Sequence, residues 1–287
     1  MNPIARLARE FLLALQFFTR VPVTGRLANW VGFSPDLLRA SAAHFPLVGA
    51  LVGTAAALVY GVVLANLPDS PFAPLVAASL STIATVLLTG AFHEDGLADL
   101  VDGLGGGQNA ARALEIMKDS RVGAFGALAL VLAMLAKLAL LALLGDVGLE
   151  TSDSPGSEAG VGELFTGAYA CTALLLGHVV SRALPLLVIR FLPHIGGHGE
   201  SKSKPLADRI SLPRLLLGLG WCGAALALGS LVLKPVNLLV ACACALLALL
   251  YMARLLQRRL HGFTGDGLGA TQQVCEIAFY LGLAVSL

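Results

Sequence analysis

Four carboxylates fall within nine residues of the stretch Phe92–Gly107: Glu94, Asp95, Asp99 and Asp102. Asp95, Asp99 and Asp102 are spaced i, i+4 and i+7, which on a helix places all three on one face. Like charges on one face repel, so packing alone gives no reason to collect them. A divalent cation does. Hard carboxylate oxygens suit Mg²⁺, which typically binds through a few carboxylates together with substrate phosphates. Asp95, Asp99, Asp102 and Glu94 are therefore the candidate metal ligands, against the alternative of a solvated helix extension. The glycines from Gly103 to Gly107 would let the backbone come close to a ligand. His93 reads as a ligand, a general base or a membrane-boundary residue.

A second element, Lys118-Asp119-Ser120-Arg121-Val122-Gly123, sets two cations around an aspartate. Lys118 and Arg121 could grip phosphate oxygens, or simply flank a membrane span. A third, Thr264-Gly265-Asp266-Gly267-Leu268-Gly269-Ala270, is a polar glycine-rich turn. If it opens a helix, its free backbone N–H groups suit an anion; a plain cap is the other reading. Arg182 shares a helix face with His178, four residues away, and is costly in lipid, as are Lys137 and Glu276. Lys137 either pairs with Glu276 or snorkels. Arg20, in Phe18-Thr19-Arg20-Val21-Pro22-Val23, reads as a headgroup-level contact or a topology charge. A metal site with phosphate-gripping cations is the equipment for breaking a phosphoryl bond.

Apolar helices must position these groups. The chain of 287 residues is 57% hydrophobic and 13% charged, against about 25% charged in soluble domains, and its mean hydropathy is +0.82. Segments 42–64, 72–92, 122–145, 164–189, 212–233 and 236–253 each approach or exceed the ~20 residues that cross a bilayer. A shorter seventh, about 268–287, contains Glu276. The expectation is an all-α polytopic membrane bundle, a single domain over 1–287, with six or seven transmembrane helices. Arg6 and Arg9 precede Phe11–Phe18, too short a run for a signal peptide. With Leu7, Phe11, Leu15 and Phe18 on one face, it reads as an interfacial helix.

Basic residues set the orientation. They gather before the first span (Arg6 to Arg39), between the second and third (Arg112, Lys118, Arg121), the fourth and fifth (Arg190 to Arg214), and the sixth and seventh (Arg254, Arg258, Arg259). The alternate loops hold only Lys234. This positive-inside pattern places the N-terminus and both acidic motifs on the cytoplasmic side. Two acidic motifs on one side, at the ends of different spans, suggest one cavity lined by both. The segment Thr151–Gly162 reads as a flexible external loop and His194–Pro205 as a mobile cytoplasmic one. The five cysteines fall in apolar spans and read as small buried hydrophobes, with no zinc pattern. No basic patch is interleaved with aromatics, so no nucleic-acid partner is expected; membrane lipid is.

Phe92–Gly107 followed by Ala113–Gly123 closely resembles the cobalamin synthase family, the adenosylcobinamide-GDP ribazoletransferases. The resemblance extends to Phe18–Pro22, Phe45-Pro46-Leu47-Val48-Gly49, Ser181-Arg182 and Thr264–Ala270 with Glu276. It implies a Mg²⁺-dependent enzyme of the bacterial cytoplasmic membrane, its active site facing the cytoplasm. In that reaction a hydroxyl of α-ribazole, or of its 5′-phosphate, attacks the phosphorus bearing the cobinamide arm of adenosylcobinamide-GDP. GMP leaves, and adenosylcobalamin or its 5′-phosphate forms. Asp95, Asp99 and Asp102, with Glu94 assisting, would bind the metal, and His93 or Glu94 would serve as base. Lys118 and Arg121 would neutralise phosphate oxygens; Arg20, Arg182, Thr264, Gly265 and Asp266 would contact substrate. Gln273 departs from members that carry a second Glu before Glu276.

Two rivals remain at this stage. A CDP-alcohol phosphotransferase would read Asp-Gly-x-x-Ala-Arg, whereas here Asp95-Gly96 is followed by Leu97-Ala98-Asp99, with no Arg in register. A secondary transporter would use Lys137, Arg182 and Glu276 as midplane coupling residues. The oligomeric state, a homo-oligomer included, is not written in the sequence.

Overall fold

The computed structural model describes residues 2–150, 167–195 and 209–287. The expected loop Thr151–Gly162 lies outside them, as does the expected loop beyond residue 195, with Lys202 and Lys204. Among the described residues all regular elements are helical, and a single bridge joins His194 to Phe263.

Three short helices lead in: α1 (Pro3–Phe18), α2 (Gly25–Val31) and α3 (Pro35–Ser41). Then come α4 (Phe45–Asn66), α5 (Ala73–Thr89), α6 (Phe92–Gly106), α7 (Ala110–Ile116) and α8 (Ala124–Glu150). The second half holds α9 (Ala168–Ala183), α10 (Pro185–Phe191), α11 (Leu212–Gly229), α12 (Pro235–Leu260) and α13 (Gly265–Val285). Proline stands in the first turn of α4, α5, α10, α11 and α12. There its missing N–H removes no helical bond and its fixed φ favours the start.

Six stretches are long and apolar enough to cross a membrane: Pro35–Asn66, Ala124–Asp146, Ala168–Phe191, α11, α12 and α13. With 17 residues, α5 is at the short end of the spanning range. We read it as a seventh span, and α6 as a helix that leaves the spans at an 88° bend. The expectation of six or seven spans holds. Gly90 and Ala91 make the bend, with φ of 71° and 60°. Glycine adopts this left-handed conformation freely, whereas alanine seldom does.

The expected interfacial helix is docked on the bundle rather than lying apart from it. Its buried residues are Glu10, Leu13, Ala14 and Leu15; of the expected stripe Leu15 is buried and Leu7, Phe11 and Phe18 are half-buried. Glu10 is fully buried. It accepts from Arg6 Nε at 2.9 Å and from Arg214 NH2, at the start of α11, at 2.7 Å; Arg214 NH1 also bonds it. This ion pair ties α1 across the bundle.

Glycines let α6 pack closely on both sides. A methyl on Gly96 would meet the Asp266 carbonyl oxygen at 2.9 Å, and one on Gly269 the His93 Cα at 3.4 Å. Backbone contact therefore joins α6 to the start of α13. The later glycines do not open a ligand approach as expected. Gly103 and Gly107 instead seat α7, where added methyls would lie 2.9 Å from Ala113 O and 2.7 Å from Ala113 Cα.

Candidate active site

The bend at Gly90–Ala91 brings α6 against the first turn of α13, and their acidic motifs meet. Asp95 and Asp266 line one cavity of about 210 Å³. The single cavity expected from the two motifs is present. His93 and Arg182 line it as well, as do Gly265 and Gln272. An aromatic wall of Phe17, Phe18, Phe45 and Phe92 closes another side. Thr264 caps α13, its Oγ1 accepting from Gly267 N at 3.0 Å. The segment from Pro193 to Ile195 pairs with Phe263 beside it, through N···O contacts of 2.9 and 3.0 Å.

Asp99 lies near Asp95 and Asp266. Burial, followed by the charges of Asp95, Asp266 and Asp102, pushes its carboxyl up to about 6. None of Asp95, Asp99 and Asp266 has a cationic partner among the described residues. In chemistry these hard oxygen donors suit a divalent cation. The four-carboxylate set expected from spacing does not gather, and among the described residues no three acidic, histidine or cysteine side chains converge as a metal-holding group.

Two expected ligands are occupied elsewhere. Asp102 lies about 10 Å along α6 from Asp95, at 1.5 Å per residue. Its Oδ2 accepts from Gly123 N at 2.6 Å and its Oδ1 from Gly126 N at 2.8 Å, capping α8. A carboxylate there is favoured by the unpaired N–H groups and the helix dipole. Glu94 turns inward because successive helical residues diverge by about 100°. Its Oε1 accepts from Gln273 Nε2 at 3.0 Å, and its Oε2 is buried without a partner. This contact also accounts for Gln273: a glutamate there would face Glu94.

His93 is 4% exposed and stacks on Phe18, with ring centroids 5.7 Å apart and planes at 15°. Burial, then the Arg182 charge, holds its imidazole well below the ordinary value. The expected phosphate grip of Lys118 and Arg121 stands away from this cavity. Both residues are exposed, beyond α7 at the Asp102 end of α6. Arg121 is committed to Asp119: its Nε and NH2 donate to both carboxylate oxygens at 2.6–3.2 Å, holding that carboxyl at about 2. Arg20 is exposed at the bend, its N–H donating to Leu88 O at 2.8 Å, and does not line the cavity.

Sequence reasoning missed the aromatic wall, Gln272 and His194. Phenylalanines in apolar runs carry no local sign of facing a cavity. Gln272 had one: a polar residue one turn before Glu276 in a span.

The comparisons with known proteins bear on the whole chain. No solved structure matches it. An adenosylcobinamide-GDP ribazoletransferase of Polaromonas sp. is 66% identical over 287 residues, all of both chains. One of Leptothrix cholodnii is 45% identical over 285 residues, 96% of this chain and 94% of that one. One of Vibrio cholerae is 38% identical over 277 residues, 94% and 91% of the two. The model of the family described as cobalamin-5-phosphate synthase matches residues 10–284. With agreement running from α1 to the last turn of α13, the chain belongs to the cobalamin-5-phosphate synthase family.

Proposed function

We propose that this membrane enzyme transfers the cobinamide-phosphate group of adenosylcobinamide-GDP to α-ribazole or its 5′-phosphate. The products are GMP and adenosylcobalamin or its 5′-phosphate. The family and the relatives' shared name support the reaction. The observation that carries the site is the meeting of Asp95 and Asp266 at a cavity that Arg182 and His93 also line.

Asp95, Asp99 and Asp266 would hold Mg²⁺, which when bound supplies charge neutralisation for a diphosphate. Arg182 donates to phosphoryl oxygens. His93 takes the proton of the attacking hydroxyl, as a neutral ring in the cavity wall can. Glu94 is less suited to that role, being turned towards Gln273. The acceptor oxygen bonds to the phosphorus carrying the cobinamide arm as the bond to the GMP oxygen breaks. The basic loops support placing this site on the cytoplasmic face of the inner membrane, open to soluble nucleotides. A transporter is disfavoured because Lys137 and Glu276 are paired with each other at 2.6 Å.

The test is GMP release by purified protein given both substrates and Mg²⁺. GMP and cobalamin should form in equal amounts, and chelation should stop both. Asp95→Asn should lower the rate at least about 100-fold, the scale of losing one stabiliser of transition-state charge. Undiminished cobalamin formation by this variant would remove Asp95 from the metal set.

A further inference from the structure

Beneath the cavity, α8, α9 and α13 enclose a chain of buried polar groups that the reaction as written leaves unused. Lys137 Nζ lies 2.6 Å from Glu276 Oε1, with side-chain exposures of 2% and 1%. Tyr280 OH donates to the same oxygen at 3.2 Å. Gln272 Nε2 donates to Oε2 at 2.6 Å, and His178 Nδ1 lies 3.2 Å from it. The same Nδ1 lies 2.9 Å from Arg182 NH1, which also donates to the His178 carbonyl at 3.2 Å. The chain therefore runs Lys137–Glu276–His178–Arg182 and ends on the cavity wall.

Stability alone is a weak reason to keep it. A buried ion pair can often be replaced by apolar residues at no loss. Three donors, Lys137 Nζ, Tyr280 OH and Gln272 Nε2, nevertheless converge on one carboxylate, which fixes it as a post. Arg182 packs closely on α4, where a methyl on Gly49 would meet its Cδ at 3.1 Å. Despite this, Arg182 Nε is buried without a partner. A buried donor left unmade is unfavourable, and a guanidinium on a cavity wall with such a donor is suited to an anion with two oxygens.

We propose that Lys137, Glu276 and His178 are positioning residues, which hold the Arg182 guanidinium at the cavity wall to receive a phosphoryl oxygen of the nucleotide donor. The inference rests on the transferase reading above. Unprotonated at Nδ1, the His178 ring accepts from one edge of the guanidinium, and the Glu276 carboxylate beside them, fixed by Lys137, supplies the opposing charge. The remaining N–H groups are left for the ligand.

Two sets of variants in detergent test this. The first, Lys137→Met with Glu276→Gln, removes one charge of each sign and so leaves the net charge around Arg182 unchanged. It should melt near the wild type, raise the donor KM about tenfold or more, and leave the acceptor KM and kcat nearly unchanged. The second set serves even where the double variant fails to fold. His178→Leu should raise the donor KM similarly. His178→Asn, whose side-chain oxygen can stand near the place of Nδ1, should restore most of the loss. A wild-type donor KM in the folded double variant overturns the proposal. So do equal effects of His178→Leu and His178→Asn, or an effect confined to the acceptor. If the wild type itself releases no GMP, the transferase reading fails instead. The same variants are then compared by calorimetric titration with GDP, where the same order of affinities supports the positioning role and equal affinities overturn it.

Discussion

Asp99 stands among Asp95, Asp266 and Asp102, and its carboxyl is raised from 3.8 to about 6. Between these values the folded protein binds more protons than the unfolded chain, so stability falls as pH rises from about 4 to 6. In metal-free protein, Asp99→Asn should therefore raise the melting temperature at pH 7.5 and change it little at pH 4. Thermal unfolding in chelator at the two pH values checks this; an equal effect at both would contradict the crowding of carboxylates. The acidic face was legible in the i, i+4, i+7 spacing, but the inward turn of Glu94, expected as a ligand, was not, because its partner Gln273 comes from a distant helix. The use of Asp102 was not legible, because its partners, Gly123 and Gly126, lie more than 20 residues on and meet it only through the fold.

At the scale of elements, the site depends on how closely α6 lies against α13. Gly96→Ala would place a methyl 2.9 Å from the Asp266 carbonyl oxygen and 3.0 Å from its Cα. Backbone atoms cannot swing aside as a flexible side chain can, so the first turn of α13 must shift and carry Asp266 with it. Activity should fall by more than about tenfold, since misplacement by about 1 Å can cost 100-fold, while the protein remains folded in detergent. Gly220→Ala, with nothing within 4 Å of the added methyl, is the control. Equal activities of the two variants would show that this contact does not set the site. The spans themselves were readable, each as a self-contained apolar run, several with a proline near the start. The 88° bend was not, because it needs Ala91 in a left-handed conformation that its residue type does not announce.

For the whole molecule, the alternation of basic loops fixes a proposed orientation that labelling can test. In a version with its five cysteines replaced by alanine, Lys118→Cys should react with an impermeant maleimide only in inverted vesicles. Asp69→Cys, between α4 and α5, should react only in right-side-out ones. The opposite pattern would put the acidic cavity on the wrong face for cytoplasmic nucleotides. The cavity as a whole was not legible, since its walls come from α1, α4, α6, α9, α10 and α13 and no local window holds two of them apart from the short links between α9 and α10. The tie between Glu10 and Arg214 has a bearing on biogenesis. The two residues are 204 positions apart. At roughly 5–20 residues per second, tens of seconds separate their synthesis. Until the fifth apolar run emerges, Glu10 has only Arg6 and His44 as partners and lacks both bonds from Arg214. The first helix made can settle on α3 and α4 early, but its tie to α11, which steadies the helix carrying Phe17 and Phe18, closes only late in synthesis.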